Sequence, residues 1–251
     1  MLKVRVIPTL LFKEFGLVKG VGFDGWRRVG SAMQAVKVYN MREVDEIIFV
    51  DITATPEGHP PDFAAVDELA DDCFMPMCVG GGVRTLEDVR RLLQVGADKV
   101  CLNTAAVETP ELVREVGQRF GSQCAVVSID VKGGPGRYEV YTHCGTQPTA
   151  KEPVAHAREM EALGAGEILL TSIDRDGTMT GYDIELVRSV TDAVSIPVIA
   201  SGGAGSYEHM AQAILEGRAS AVAAASIFHF TQQTPLEAKR YLNERGIPVR
   251  L

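Results

Sequence analysis

No apolar run in this chain reaches the ~18 residues that a membrane-spanning helix needs, although 46% of its 251 residues are hydrophobic. Positive charge is scarce as well. Lys and Arg number 25 against 33 Asp and Glu, a net charge of −8. That balance disfavours a nucleic-acid surface or an anionic membrane as partner. Aromatic residues make up only 6% of the chain, so its core has to be built from Val, Ile, Leu and Ala. The five cysteines (Cys73, Cys78, Cys101, Cys124 and Cys144) include no C-x-x-C pair, which removes the common zinc and dithiol-redox signatures. An odd count with no secretory signal pattern fits reduced, mostly buried thiols in a cytoplasmic protein. The sequence gives no reason to expect a metal or another cofactor.

What is present is repetition. Pro197 to Gly205 is a short apolar run, Val198 to Ala200, that stops in Ser201-Gly202-Gly203. It reads as a buried strand, a glycine turn and a helix N-terminus, where free backbone N–H groups attract anions. Pro76 to Gly82 has the same form 121 residues earlier, and the same shift carries Glu46 onto Glu167. A shift of 119 carries Leu11-Phe12-Lys13 onto Asp130-Val131-Lys132. The chain therefore divides into two related halves, about 1–122 and 123–251, each with its own glycine-rich loop.

Eight apolar runs alternate with eight amphipathic stretches. The strands are expected at Val4 to Leu10, Asp45 to Asp51, Met77 to Val79, Lys99 to Leu102, Ala125 to Ile129, Glu167 to Thr171, Pro197 to Ala200 and Ala221 to Ala224. Lys13 to Gly20 reads as a loop and Gly133 to Thr146 as a hairpin insertion. Short runs that each lead into a helix imply a parallel sheet, and eight such units close as a single-domain α/β structure, a (β/α)8 TIM barrel. The chemistry of such barrels sits at the C-terminal strand ends.

The candidates are chosen by that position. Gly81 and Gly82 with Asn103 and Thr104, and Ser201, Gly202 and Gly203 with Ala225 and Ser226, form two sets half a barrel apart. Each offers backbone N–H groups plus a hydroxyl or amide. Two such sets suit a phosphorylated small molecule with two similar ends, an elongated bisphosphate for example. The plainer alternative is that the glycines only relieve crowding. Thr171 ends strand six, and Asp176-Gly177 follows it and suits hydroxyls, phosphate or a simple turn. Asp130 ends strand five in an apolar run, where a carboxylate can act as general acid or base; the alternative is a structural carboxylate bound to backbone N–H groups or Lys132. Asp51 could touch ligand or instead pair with a neighbouring cation. At the opposite strand ends, Arg5, Glu46, Lys99 and Glu167 offer two cations and two carboxylates, which on charge pattern alone is a structural ring. Asp98 beside them reads as a solvated acid.

Val79 to Gly82, Asn103 to Ala106, Gly164 to Thr178, Ala200 to Gly205 and Phe228-His229-Phe230 closely resemble the cyclase subunit of imidazole glycerol phosphate synthase, over almost the whole chain. The resemblance implies two phosphate sites for a long bisphosphate ribonucleotide and a glutaminase partner subunit, forming a heterodimer, docked on the barrel's bottom. It also implies that ammonia from that partner passes through the barrel. Arg5, Glu46, Lys99 and Glu167 match the gate of the ammonia channel, Asp98 a partner-interface position, and Lys19 a substrate contact. The family uses two catalytic aspartates. Asp130 matches the second, but Leu11 stands where the first is expected, and leucine can neither transfer a proton nor accept a hydrogen bond. Glu14, three residues on, falls in the loop and is not expected to substitute.

Ile7 to Lys13, Gly16 to Lys19 and Cys73 to Pro76 resemble a branch of the family found with surface-polysaccharide genes. Its members are thought to pass ammonia to a separate ATP-dependent enzyme that amidates a sugar. Asn103-Thr104 and Asp51 to Ala54 are closer to the histidine-pathway enzymes. Three functions follow: an ammonia conduit and synthase subunit for sugar amidation, a true cyclase–lyase, or a non-catalytic phosphate-binding partner of a glutaminase.

Overall fold

A computed structural model describes residues 3–14 and 16–251. Eight parallel strands close on themselves: β1 (Arg5–Lys13), β2 (Ile47–Asp51), β3 (Met77–Gly80), β4 (Lys99–Leu102), β5 (Ala125–Lys132), β6 (Glu167–Ser172), β7 (Val198–Ser201) and β8 (Ala221–Ala224), with β8 paired to β1. The fold is the (β/α)8 barrel that the sequence implies. The register can be followed once around it. Leu11 lies level with Val50, Gly80, Cys101, Val126 and Glu167; the next residue, Ile168, pairs with Val198; the next, Ile199, pairs with Ala221 and so with Arg5. The level of Leu11 thus returns to β1 two residues below Arg5, eight residues from its start, the stagger of an eight-stranded TIM barrel.

Alternation along each strand divides the core into two layers. Ile7, Ile48, Cys78, Cys101, Val126, Leu169, Ile199, Ala221 and Ala223 face the barrel interior and pack on one another. Their neighbours, such as Val6, Phe49, Val100 and Val222, face outward into the larger layer between sheet and helices. Burying each Val, Leu or Ile side chain there stabilises the fold by roughly 1.5–3 kcal/mol. The helices begin where their caps dictate. Asp62, Asp183 and Ser206 each accept a backbone N–H three residues on, and Thr85 with Asp88 forms a full capping box, which satisfies otherwise orphaned donors.

The chain departs from expectation at its first long excursion and follows the expected hairpin at the second. The segment 13–20 is not a loop. β1 continues to Lys13, the strand Gly16–Val21 folds back on it with Leu11 opposite Val18, and Asp24–Gly30 extends the antiparallel ribbon. Phe15, within that segment, lies outside the described residues. β5 likewise runs past Asp130 to Lys132, and Glu139–Thr142 pairs back on it with Asp130 opposite Tyr141. Both halves thus carry a hairpin at the same place. Three short helices, Ala54–Glu57, Thr104–Glu108 and Ser226–Phe230, also lie beyond the sequence reading. Among the described residues no helix is long and apolar enough to cross a membrane.

Candidate active site

The C-terminal strand ends surround one cavity. Its lining includes Asp130, Lys19, Gly81, Gly82, Asn103, Thr104, Thr171, Asp176, Gly177, Ser201, Gly202, Gly203, Ala225 and Ser226, so every residue chosen for the mouth of the barrel meets the others there.

Asp130 is buried and points inward from β5. Its carboxylate accepts hydrogen bonds from Ser128 Oγ at 3.1 Å and Asn103 Nδ2 at 3.2 Å. Lys132 is not its partner; that ammonium donates to the Gly145 carbonyl at 2.9 Å. Burial pushes the Asp130 carboxyl up from 3.8 to about 7, the Asp176 carboxylate adds to the rise, and the hydroxyls of Ser128 and Thr171 hold it back. A carboxyl that titrates near neutrality can both give and take a proton at working pH.

Leu11 lines the same cavity from β1, the strand opposite β5 in an eight-stranded ring. Glu14 sits at the turn of the first hairpin, exposed, with φ 56°, and is not among the residues of the cavity wall. No carboxylate from β1 therefore lines the cavity. Asp51, the other acid at a strand end of the first half, is occupied. Its Oδ1 accepts from Thr53 N at 2.8 Å, Thr53 Oγ1 at 2.7 Å and Ala54 N at 3.2 Å, a backbone cap rather than an ion pair.

Lys19 reaches the cavity because its strand folds back over the mouth. It is 1% exposed and ion-paired with Asp176. Burial raises the Asp176 carboxyl and the Lys19 ammonium opposes that rise. Gly177 lets this loop touch the hairpin, since a Cβ there would stand 2.2 Å from the Gly20 carbonyl.

The glycine loops repeat their geometry. Gly81 has φ 102° and a Cβ on it would meet the Asp51 carbonyl at 2.1 Å; Gly202 has φ 88° and would meet the Ser172 carbonyl at 2.5 Å. Each glycine thus abuts the end of the preceding strand, and crowding alone accounts for both. The observation that points to a ligand is different. Ser226 Oγ and Thr9 Oγ1, both on the cavity wall, are buried without a hydrogen-bond partner. A buried hydroxyl left unpaired costs about 1–3 kcal/mol, and an anionic oxygen in the cavity would satisfy it.

At the other end of the barrel the four charged residues converge. Arg5 bridges Glu46 and Glu167, and Lys99 bridges the same two carboxylates at 2.9 Å each. The carboxylates lie inside and the cations outside, with side-chain exposures of 3% and 7% against 24% and 20%. Burial pulls the Arg5 and Lys99 pKa values down, but their bonds and attraction to the two glutamates prevail and both end raised. Asp98 is exposed beside the ring and its Oδ2 accepts from Met77 N at 2.8 Å. It therefore holds a strand start as well as offering a surface charge.

The sequence matches the histidine biosynthesis protein family over residues 5–234, a span that contains the ring, both hairpins and all eight strands. The chain belongs to that family. Among the described residues no cluster of three or more His, Cys, Asp or Glu can hold a metal ion. The cavity has further walls that the sequence reading missed: Thr9, Ser128, Phe23, Trp26 and Cys144. Thr9 and Ser128 lie two residues before Leu11 and Asp130 on the same inward face, so strand alternation alone would have found them. Phe23, Trp26 and Cys144 arrive on the antiparallel hairpins, which local pattern does not place over the mouth.

Proposed function

We propose that this histidine-biosynthesis-family barrel is the synthase subunit of a glutamine amidotransferase complex, passing ammonia from its bottom ring through the interior to the mouth, for amidation of a sugar precursor. The observation that carries this reading is the pairing of an intact ring with a mouth that lacks an acid facing Asp130: Arg5, Glu46, Lys99 and Glu167 interlock, while Leu11 takes the place opposite Asp130. Losing one member of an acid–base pair costs roughly 10²–10⁴-fold in rate, which disfavours two-carboxyl chemistry here. The strand-start face offers a seat for the glutaminase subunit. Phe74 is 85% exposed there and Met41 77%, and the two neighbouring helix ends are tied by Asn40, whose Oδ1 accepts from Phe74 N at 3.1 Å. Exposed large apolar groups beside a ring of charge suit a protein partner. A phosphorylated ligand between the two glycine loops would pair the free Ser226 hydroxyl.

One observation favours the cyclase–lyase of histidine biosynthesis instead. Asp130 titrates near neutrality without help from strand one, so it can serve as donor and acceptor in turn. The deciding experiment is turnover of the bisphosphate ribonucleotide with saturating ammonium and no partner, for the wild type and for Leu11→Asp. The conduit reading expects silence from the wild type and a gain from Leu11→Asp. Wild-type turnover would overturn it in favour of the cyclase.

A further inference from the structure

Midway between ring and mouth, Cys78 on β3 and Cys101 on β4 both face the barrel interior. Both are free thiols, 1% and 6% exposed, in the same packed interior layer. The register pairs Cys78 with Lys99 and Cys101 with Gly80, so the two cysteines are diagonal neighbours. A strand spacing of ~4.8 Å and a rise of ~3.3 Å per residue put their Cα atoms about 8 Å apart. That exceeds the ~7 Å limit for a disulfide without backbone movement. An ion held between the two sulfurs spans the diagonal without it.

The surroundings restrict which ion. Ile7, Ile48, Val126, Leu169 and Ile199 complete this layer and offer no third donor, in keeping with the absence of any three-ligand cluster among the described residues. Tetrahedral zinc is thereby excluded, because it needs four donors. Two soft thiolates in an aliphatic cage select a soft cation content with two ligands. Cys101 also lines the mouth cavity, which gives a small ion a path inward. The Lys99 ammonium near Cys78 offsets part of the negative charge of two thiolates, against the opposing field of Glu46.

We propose that Cys78 and Cys101 form a two-coordinate site for a soft monovalent cation of the copper(I) class inside the barrel. Binding breaks two S–H bonds, forms two metal–sulfur bonds and releases two protons to solvent, with no change in oxidation state. Because binding displaces a proton from each thiol, affinity rises with pH. The effect of an ion there on ammonia passage rests on the conduit reading; the site itself does not.

Silver(I), which is redox-silent, is the probe. The full chain carrying Cys73→Ser, Cys124→Ser and Cys144→Ser keeps only this pair. Native mass spectrometry should find one silver per chain, two protons should be released, and adding Cys78→Ser or Cys101→Ser should weaken binding at least a hundredfold. Silver binding that survives removal of either thiol overturns the bridge, as does none in the triple variant. Should a serine variant fail to fold, proton release on adding silver to the folded triple variant decides. Two protons must be released per silver bound, and release of one alone overturns the proposal.

Discussion

Replacing Asp130 by Asn should stabilise the protein, and by an amount that grows with pH. In the folded chain burial holds the Asp130 carboxyl at about 7 against an ordinary value of 3.8. Below pH 4 the residue is protonated in both folded and unfolded chains and contributes nothing. Between about pH 4 and 7 the unfolded chain gives up the proton while the folded chain keeps it, so stability falls as pH rises. Above pH 7 both forms are ionised and the full cost is present. A rise from 3.8 to about 7 at 1.36 kcal/mol per unit gives about 4 kcal/mol. Asparagine imitates the protonated acid in size and cannot ionise, so it escapes this cost. Urea unfolding of wild type and Asp130→Asn at intervals from pH 4 to 8 would measure it. The stability of the variant relative to wild type should climb by about 4 kcal/mol across that range. The buried histidines His156 and His229, whose own pKa values burial lowers, are common to both proteins and cancel in the difference. A difference that stays flat with pH would refute the reasoning, because it would mean that the bonds from Ser128 and Asn103 fully offset the loss of water.

Three further outcomes are expected. Glu167→Gln leaves Arg5 and Lys99 sharing one carboxylate and should cost about 3 kcal/mol in denaturant unfolding, the low end for a broken buried pair because both cations keep some water; a loss under about 1 kcal/mol would mean the ring is not holding the barrel bottom. Inorganic phosphate at a hundred times its dissociation constant should stabilise the protein by about 2.7 kcal/mol, and Ser226→Ala should reduce the rise in melting temperature at a given concentration; an equal rise in both would remove Ser226 from the site. His156 is 2% exposed with its Nε2 unpartnered, and burial lowers its pKa, so its own contribution to stability is lost as pH falls through about 6.5, where only the unfolded chain takes up the proton, opposite in sign to that of Asp130. The melting temperature of His156→Gln relative to wild type should rise as pH falls from 7.5 to 5.5, and a difference that stays flat with pH would clear this histidine.

How much of the site was legible depends on which physical signal fixed each residue. Period-two alternation fixes which side chains face inward, so Asp130, Thr171 and Ser201 could be read from the end of an apolar run. The repeat shift of 119 residues aligned Leu11 with Asp130, so a leucine stands in one half where the other half has an acid. Cap residues fixed the helix starts, as at Ser206 and Asp183, because a side-chain oxygen there meets a donor three residues along whatever the rest of the chain does. Gly177 was legible only as a turn; that it makes room for the carbonyl of Gly20 needed the hairpin in place.

The sequence by itself determined the eight-unit barrel and the alternation of inward and outward faces along its strands, because these follow from local periodicity; that a carboxylate is expected at position 11 comes from the family resemblance alone. Tertiary structure alone decided the rest. Lys19 meets Asp176 across 157 positions only because the first hairpin folds over the mouth. Asp51 turned out to be a backbone cap, not an ion-pair partner, because Thr53 and Ala54 lie nearer to it than any cation. The carboxyl of Asp130 moves toward neutrality only once barrel closure removes its water. Desolvation, close approach and the convergence of charges from β1, β2, β4 and β6 are properties of the closed ring, and no window of sequence contains them.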